Sequence, residues 1–255
     1  MPSGIHNLLQ TFFNWTEIRR VLPELLSVGL LNTVILAASA IITGTVIGLT
    51  LATLLVSRKA LLRFPARVFV DVFRGLPIIV TILIVGQGLP IAGIRPFGRS
   101  SYPYAVMALA IVSGAFIAEI FRSGIQSVER GQMEAARSLG LSHMQAMVQV
   151  VIPQGIRRVL PALANQFVAM VKDSSLVYLL GLLSSQRELF SIAQDATNNT
   201  GSLSPMVAAG IFYLALTVPL THLVNVFDTR LRQGRSLIGS RNEAPLALRS
   251  NLEVG

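Results

Sequence analysis

Three pairs of charged residues interrupt runs that are otherwise apolar and long enough to cross a bilayer. An ionisable group in such a run is costly unless it is paired or faces water or a solute. Asp71 and Arg74 are three residues apart, a spacing that puts them on one helical face where they can pair, and Glu119 and Arg122 repeat it. Lys172 and Asp173 are adjacent, so on a helix they point in different directions; Ser174 follows them. The chemistry open to these groups is recognition of charge: carboxylates can hold a cation, and Arg or Lys can hold a carboxylate. The alternative is structural. Asp71–Arg74 and Glu119–Arg122 are equally suited to fixing helix packing, and Arg122, near the end of its run, can snorkel. A catalytic set is missing. His6, His143 and His222 are scattered without metal-ligand spacing, and neither a Ser/His nor an Asp/Asp constellation stands out, which argues against an intramembrane enzyme.

A second group sits between the third and fourth apolar runs. Glu134, Ala135 and Ala136 are followed at short spacing by Gly140, then by Val150, Val151, Ile152 and Pro153. The two alanines allow close approach, Gly140 can take a positive φ, and Pro153 is expected to end a second helix and redirect the chain. Met144, Met147, Val148 and Val151 recur at i, i+3, i+4 and i+7 on one face of that helix. The expected product is an exposed helix–turn–helix elbow. A plain membrane-surface connector would show the same turn glycine and stop proline.

The elements that position these residues are spans. The chain has 255 residues, 52% hydrophobic and 13% charged, too apolar for an ordinary soluble domain. About five stretches reach membrane length, at about 27–56, 64–89, 103–125, 159–183 and 205–227. Gly75 and Pro77 predict a kink in the second, beside Arg74. Lys172 lies some 14 residues past Arg158, roughly 21 Å along a straight helix, just beyond the midplane. Gly44 and Gly48 form a Gly-x3-Gly pair that permits close helix contact, a weak signal in so apolar a chain. The segment 184–198 places Leu189, Ile192, Ala193 and Ala196 on one face, to lie along the membrane surface or cap a cavity.

Charge supplies the orientation. The net charge is +9, but the basic residues form no single stripe of the kind that binds nucleic acid; they cluster at the ends of the apolar runs. Arg58, Lys59, Arg63 and Arg67 follow the first run, Arg130, Arg137, Arg157 and Arg158 follow the third, and Arg230, Arg232, Arg235 and Arg241 follow the fifth. The other two loops are poorer, with Arg95 and Arg99 in one and Arg187 in the next. The positive-inside rule then predicts an outer N-terminus, a cytoplasmic C-terminus and a cytoplasmic elbow. Met1 to Arg20 lacks the pattern of a cleaved signal peptide. Residues 1–235 read as one transmembrane domain with the elbow at about 126–153, and 236–255 as a mobile tail. With no cysteine, disulfides and thiolate metal sites are excluded. Five spans do not divide into two equal inverted halves, which argues against a stand-alone, ion-coupled secondary transporter.

The elbow carries a resemblance. Glu134, Ala135, Ala136, Gly140, Val150, Ile152 and Pro153 resemble the loop signature of binding-protein-dependent ABC importer permeases, with Val150 and Ile152 where that pattern more often has Ile and Leu. Val72-Phe73-Arg74-Gly75-Leu76-Pro77, Ala118-Glu119-Ile120-Phe121-Arg122-Ser123-Gly124-Ile125 and Val171-Lys172-Asp173-Ser174-Ser175-Leu176 are similar to stretches of the polar amino acid branch. The resemblance covers roughly residues 29–232.

The resemblance implies an all-α polytopic permease of the type I ABC importer fold in a bacterial inner membrane. It implies a second permease subunit, homo- or heterodimeric, two cytoplasmic ATPase subunits that bind ATP and Mg²⁺, and an extracytoplasmic solute-binding protein. The chain itself has no Gly-x4-Gly-Lys-[Ser/Thr] phosphate loop, and no cofactor or metal is expected on it. The elbow becomes a coupling helix in an ATPase cleft, and the cargo a polar amino acid, or another small zwitterion such as an opine. For such a zwitterion, Glu119 and Asp173 are expected to meet the ammonium, and Arg74 and Lys172 the carboxylate, with Ser174 beside them on the path.

Overall fold

In the computed structural model, residues 2–57 and 59–232 are described; Arg58, Arg235, Arg241 and the expected tail lie outside them. Every regular element among the described residues is helical. In chain order the α-helices are α1 (Pro2–Phe12), α2 (Trp15–Glu24), α3 (Leu30–Val56), α4 (Ala60–Gly75), α5 (Ile78–Leu83), α6 (Leu89–Ile91), α7 (Ser101–Gln126), α8 (Arg130–Ser138), α9 (His143–Ala146), α10 (Ile152–Asp173), α11 (Leu189–Thr200) and α12 (Ser204–Arg232). Widened π turns at Leu25–Gly29, Ile84–Gly88 and Met147–Val151 join α2 to α3, α5 to α6 and α9 to α10.

Three stretches are long and apolar enough to cross a membrane: Gly4–Val56, Ser101–Gln126 and Ser204–Val226. They contain the first and third expected spans and all but the last residue of the fifth. The second is not a kinked helix but a broken one. Ala60–Gly75 and Ile78–Ile91 meet at 110°. The break sits at Leu76 and Pro77, both extended, with ψ of 140° and 135°. A proline pushes its predecessor out of the helical region and cannot donate a hydrogen bond itself, so two helices form where one is expected.

The fourth expected span also changes form. Its α-helix ends at Asp173 and continues as a 3₁₀ turn at Ser174–Leu180, closed by Gly181 at φ 64°. Lys172 and Asp173 therefore end an α-helix and do not lie midway along a straight span. With Arg157, Arg158, Lys172 and Asp173 aboard, α10 is less apolar than the other long helices. It packs among α3, α7 and α12, where protein takes the place of lipid.

The centre of the bundle is the crossing of α3 and α7. A Cβ on Gly44 would stand 1.9 Å from Ser113 Oγ, one on Gly48 2.6 Å from Ile117, and one on Gly114 2.8 Å from Ile47. Ser113, fully buried, donates its hydroxyl to Ala40 O and Ala110 O, so the polar group at the contact is satisfied. The Gly-x3-Gly pair is thus a real packing device. Around it, Leu36, Ala40, Ile82, Ala108, Leu109 and Met170 form the main core. Gly124 and Gly155 make a second close approach, between α7 and α10, where a Cβ on Gly124 would stand 2.2 Å from Val159.

The segment expected at a surface or over a cavity is packed inward. Leu189, Ile192 and Ala193 of α11 are buried against Val21, Leu25, Ala208 and Ala209, and Ala196 packs against the same cluster. Polar contacts hold this corner. Asn32 donates to Ser185 O and Arg187 O, and Arg187 pairs with Glu24 at 3.1 Å and Asp195 at 2.8 Å.

Candidate functional site

The elbow forms as a helix–turn–helix. Glu134 and Ala135 are exposed on α8, while Ala136 faces inward and is buried. Gly140 has φ +89°, a conformation that L side chains rarely adopt. There the chain reverses: Gly140 N donates to Arg137 O and Leu141 N to Ala136 O, capping the end of α8. Ser142 and Gln145 then form a capping box that starts α9.

Pro153 does not end the second helix. The helical run continues from His143 through the π turn into α10, and Pro153 lies within its first turn. A regular helix there would lose a bond to Gln149 O and press the proline ring against that carbonyl. In the widened turn Ile152 N donates instead to Met147 O, five residues back, which relieves that conflict. Val150 and Ile152 are half-buried at this join. The apolar face expected from periodicity is divided. Val151 is buried and Met147 half-buried, whereas Met144 and Val148 are 70% and 53% exposed; off that face, Ala146 is buried and Leu139, at the end of α8, is 86% exposed.

The base of the elbow is tied down on both sides. Arg158 of α10 donates to Ser127 O at the end of α7, and Gln154 donates to Gln132 at 3.2 Å. Together with the Gly124–Gly155 contact, these bonds attach the elbow to both α7 and α10.

The charged side chains do not converge on one point. Arg67, Asp71 and Arg74 of α4 and Glu119 and Arg122 of α7 line a small cavity of about 170 Å³ closed by Leu55 and Val70. Glu119 and Arg122 form a bidentate pair, with Arg122 Nε 2.8 Å from Glu119 Oε2, and Arg122 also donates to Gln126. Arg122 is therefore held within the bundle's own charge pattern and does more than snorkel. Asp71 and Arg74 form no ion pair with one another among the described residues. Arg74 instead lies over the Phe116 ring at 5.5 Å, a cation–π contact.

Lys172, Asp173 and Ser174 do not line this cavity. Lys172 is exposed and Asp173 half-buried, and the buried Ser174 hydroxyl donates to Val171 O in its own helix. Of the expected constellation, the structure brings Arg74 and Glu119 together and leaves the other three apart.

Sequence reasoning missed Glu188. It is fully buried and caps α11, accepting from Phe190 N at 2.6 Å, Ser191 N at 2.7 Å and Tyr213 Oη at 2.8 Å. Burial pushes its pKa up, and the hydrogen bonds from Ser191, Tyr213 and Phe190 oppose that. Its partner Tyr213 is distant in sequence, and no local spacing announces the pair.

A model of the family described as "Binding-protein-dependent transport system inner membrane component" matches residues 44–233, from the middle of α3 through α12. The chain belongs to this family. Among curated relatives of these permeases, a probable glutamine ABC transporter permease of Bacillus subtilis is 34% identical over 80% of this chain and 92% of its own length. An octopine transport system permease of Rhizobium meliloti is 38% identical over 77% of this chain and 81% of that one. A glutamate/aspartate import permease of Escherichia coli O6:H1 is 31% identical over 86% of this chain and 98% of its own. Among solved structures, an amino acid ABC transporter with histidines matches at TM-score 0.75 and 34% identity, covering 83% of this chain and 95% of that one. A methionine ABC transporter in an inward-facing conformation, at 20% identity and TM-score 0.61 over 82% of this chain and 95% of that one, shares the fold. The chain is thus an integral membrane permease, a transport component.

Proposed function

We propose that this chain is the translocating subunit of an ABC importer for a polar amino acid in the bacterial inner membrane. Separate ATPase subunits drive it, a second permease subunit completes the pore, and an extracytoplasmic binding protein feeds it. The observation that carries the reading is the elbow. The left-handed turn at Gly140 presents Leu139, Met144 and Val148 to the outside, and the base is fastened to two long helices of the bundle. Exposed apolar side chains at the end of a bundle are what a partner cleft needs, and the ties to α7 and α10 supply a route for force. Glu134, Ala135, Ala136, Gly140, Val150, Ile152 and Pro153 build this coupling element. With the elbow at the ATPase, the N-terminus lies outside and the C-terminus in the cytoplasm, as the charge bias also requires.

Arg74 and Glu119 serve the solute path from the charged cavity, and Lys172, Asp173 and Ser174 act on it at a separate point, outside that cavity. The named substrates of the relatives support an amino acid; the octopine permease, at 38% identity, supports an opine as a second reading. Co-purification with the products of neighbouring genes tests the assignment. A stable ATPase partner is expected, lost on Glu134→Lys. A chain that purifies without such a partner contradicts it.

A further inference from the structure

A second charged hollow lies away from both the elbow and the α4–α7 cavity. A cavity of about 510 Å³ opens where the turn after α5, the loop between α6 and α7 and the 3₁₀ turn after α10 meet; Gln87, Arg95, Arg99, Ser101, Tyr104 and Leu180 line it. It carries two guanidinium groups and no acidic residue. The loop that presents them is built. Gly93 and Gly98 turn it at φ 81° and 71°, Tyr104 Oη donates to Gly98 O at 3.2 Å, and Phe97 stacks edge-on against Tyr104 at 5.4 Å. Arg95 donates through Nε to Pro90 O at 3.1 Å, which fixes its stem, and its terminal nitrogens make no hydrogen bond among the described residues. The far wall is held by Gln87, which donates to Leu179 O at 2.6 Å.

The position of this cavity follows from α7. Ser101, in its wall, begins that helix and Gln126, beside the elbow, ends it. Its 26 residues span about 39 Å at 1.5 Å per residue, more than the hydrocarbon core. Cavity and elbow therefore open on opposite faces of the membrane.

We propose that Arg95 and Arg99 form a docking site for an acidic surface of the extracytoplasmic solute-binding protein, an inference that rests on the function proposed above. The charge pattern selects a protein acid over the solute. A free amino acid brings an ammonium as well as a carboxylate, and its ammonium would meet two cations and no anion here. Side-chain carboxylates projecting from a docking protein bring negative charge alone, and guanidinium forks match them bidentately. Charge complementarity of this kind steers encounter and sets register, and it weakens with salt.

The test uses the assembled permease–ATPase complex in nanodiscs, stimulated by its solute-loaded binding protein at low and at high NaCl. In Arg95→Glu/Arg99→Glu the half-saturating concentration of binding protein should rise at least tenfold at low salt. Its salt dependence should flatten, and the maximal stimulated rate should be retained, which also shows that the complex is folded. Arg95→Gln/Arg99→Gln should fall between the two. An unchanged half-saturating concentration in the reversal variant overturns the docking site and leaves the importer reading standing. So does a lowered maximal rate in the Gln variant at unchanged half-saturation, which would place the solute in the cavity. If no binding protein stimulates the wild-type complex and uptake needs none, the importer reading fails and the docking site with it.

Discussion

Gly44 of α3 and Ser113 of α7 are so close that a Cβ on the glycine would stand 1.9 Å from the serine Oγ. The same serine bonds Ala40 O one turn earlier on α3, so the contact joins two backbones through one small polar side chain. Gly44→Val should destabilise the solubilised permease by at least about 1–3 kcal/mol, as overpacking of a close-packed core does. Gly44→Ala should cost less, and adding Ser113→Gly should recover part of the loss by removing the opposing atom. Thermal unfolding of the three variants in detergent measures this, and equal losses in the single and double variants would count against the crossing as described.

Gly140 offers the opposite case. No atom lies within 4 Å of where its Cβ would be, so any cost of substitution is conformational. At φ +89° a β-branched residue is strained, by about 1–2 kcal/mol, whereas Asn tolerates the left-handed region better. Gly140→Val should reduce ATP-driven uptake several-fold with normal expression, and Gly140→Asn should keep most of it. Equal uptake in both variants and wild type would make the turn a passive connector.

Leu139 and Met144 are the most exposed apolar side chains of the elbow. Leu139→Asp or Met144→Asp should leave a well-behaved permease that no longer retains its ATPase subunits. Pull-down of the ATPase by tagged permease reads this directly. Retention at the wild-type level would move the contact elsewhere.

Glu119 shares its cavity with Arg67, Asp71, Arg74 and Arg122, whereas Asp173 lies outside that cavity. Glu119→Gln should therefore impair uptake at saturating binding protein more than Asp173→Asn does. Part of the Glu119 loss reflects an Arg122 deprived of its bidentate partner, so thermal stability of each variant is measured alongside. A larger effect at Asp173 would shift the solute path to the end of α10.

The all-helical class and the elbow were legible because both depend on local signals: apolar run length, a turn glycine, and the i, i+3, i+4, i+7 recurrence of Met144, Met147, Val148 and Val151. The Gly75–Pro77 signal located the break in the second run but understated it. A single proline reads as a kink, and the reorientation to 110° depends on both Leu76 and Pro77 being extended. Pro153 was misleading for the converse reason, since a π turn just before it lets the helix continue. The charged residues were visible individually, but their grouping was not. Arg74 shares a cavity with Glu119 only because α4 packs on α7, and Glu188 meets Tyr213 only because α11 folds back onto α12.

ATP hydrolysis on partner subunits should drive this permease. Proteoliposomes holding the permease, its ATPase and its binding protein should accumulate a radiolabelled polar amino acid only with ATP on the ATPase side, and a proton or sodium gradient alone should give none. Uptake driven by an ion gradient without ATP, by the permease alone, would contradict the account.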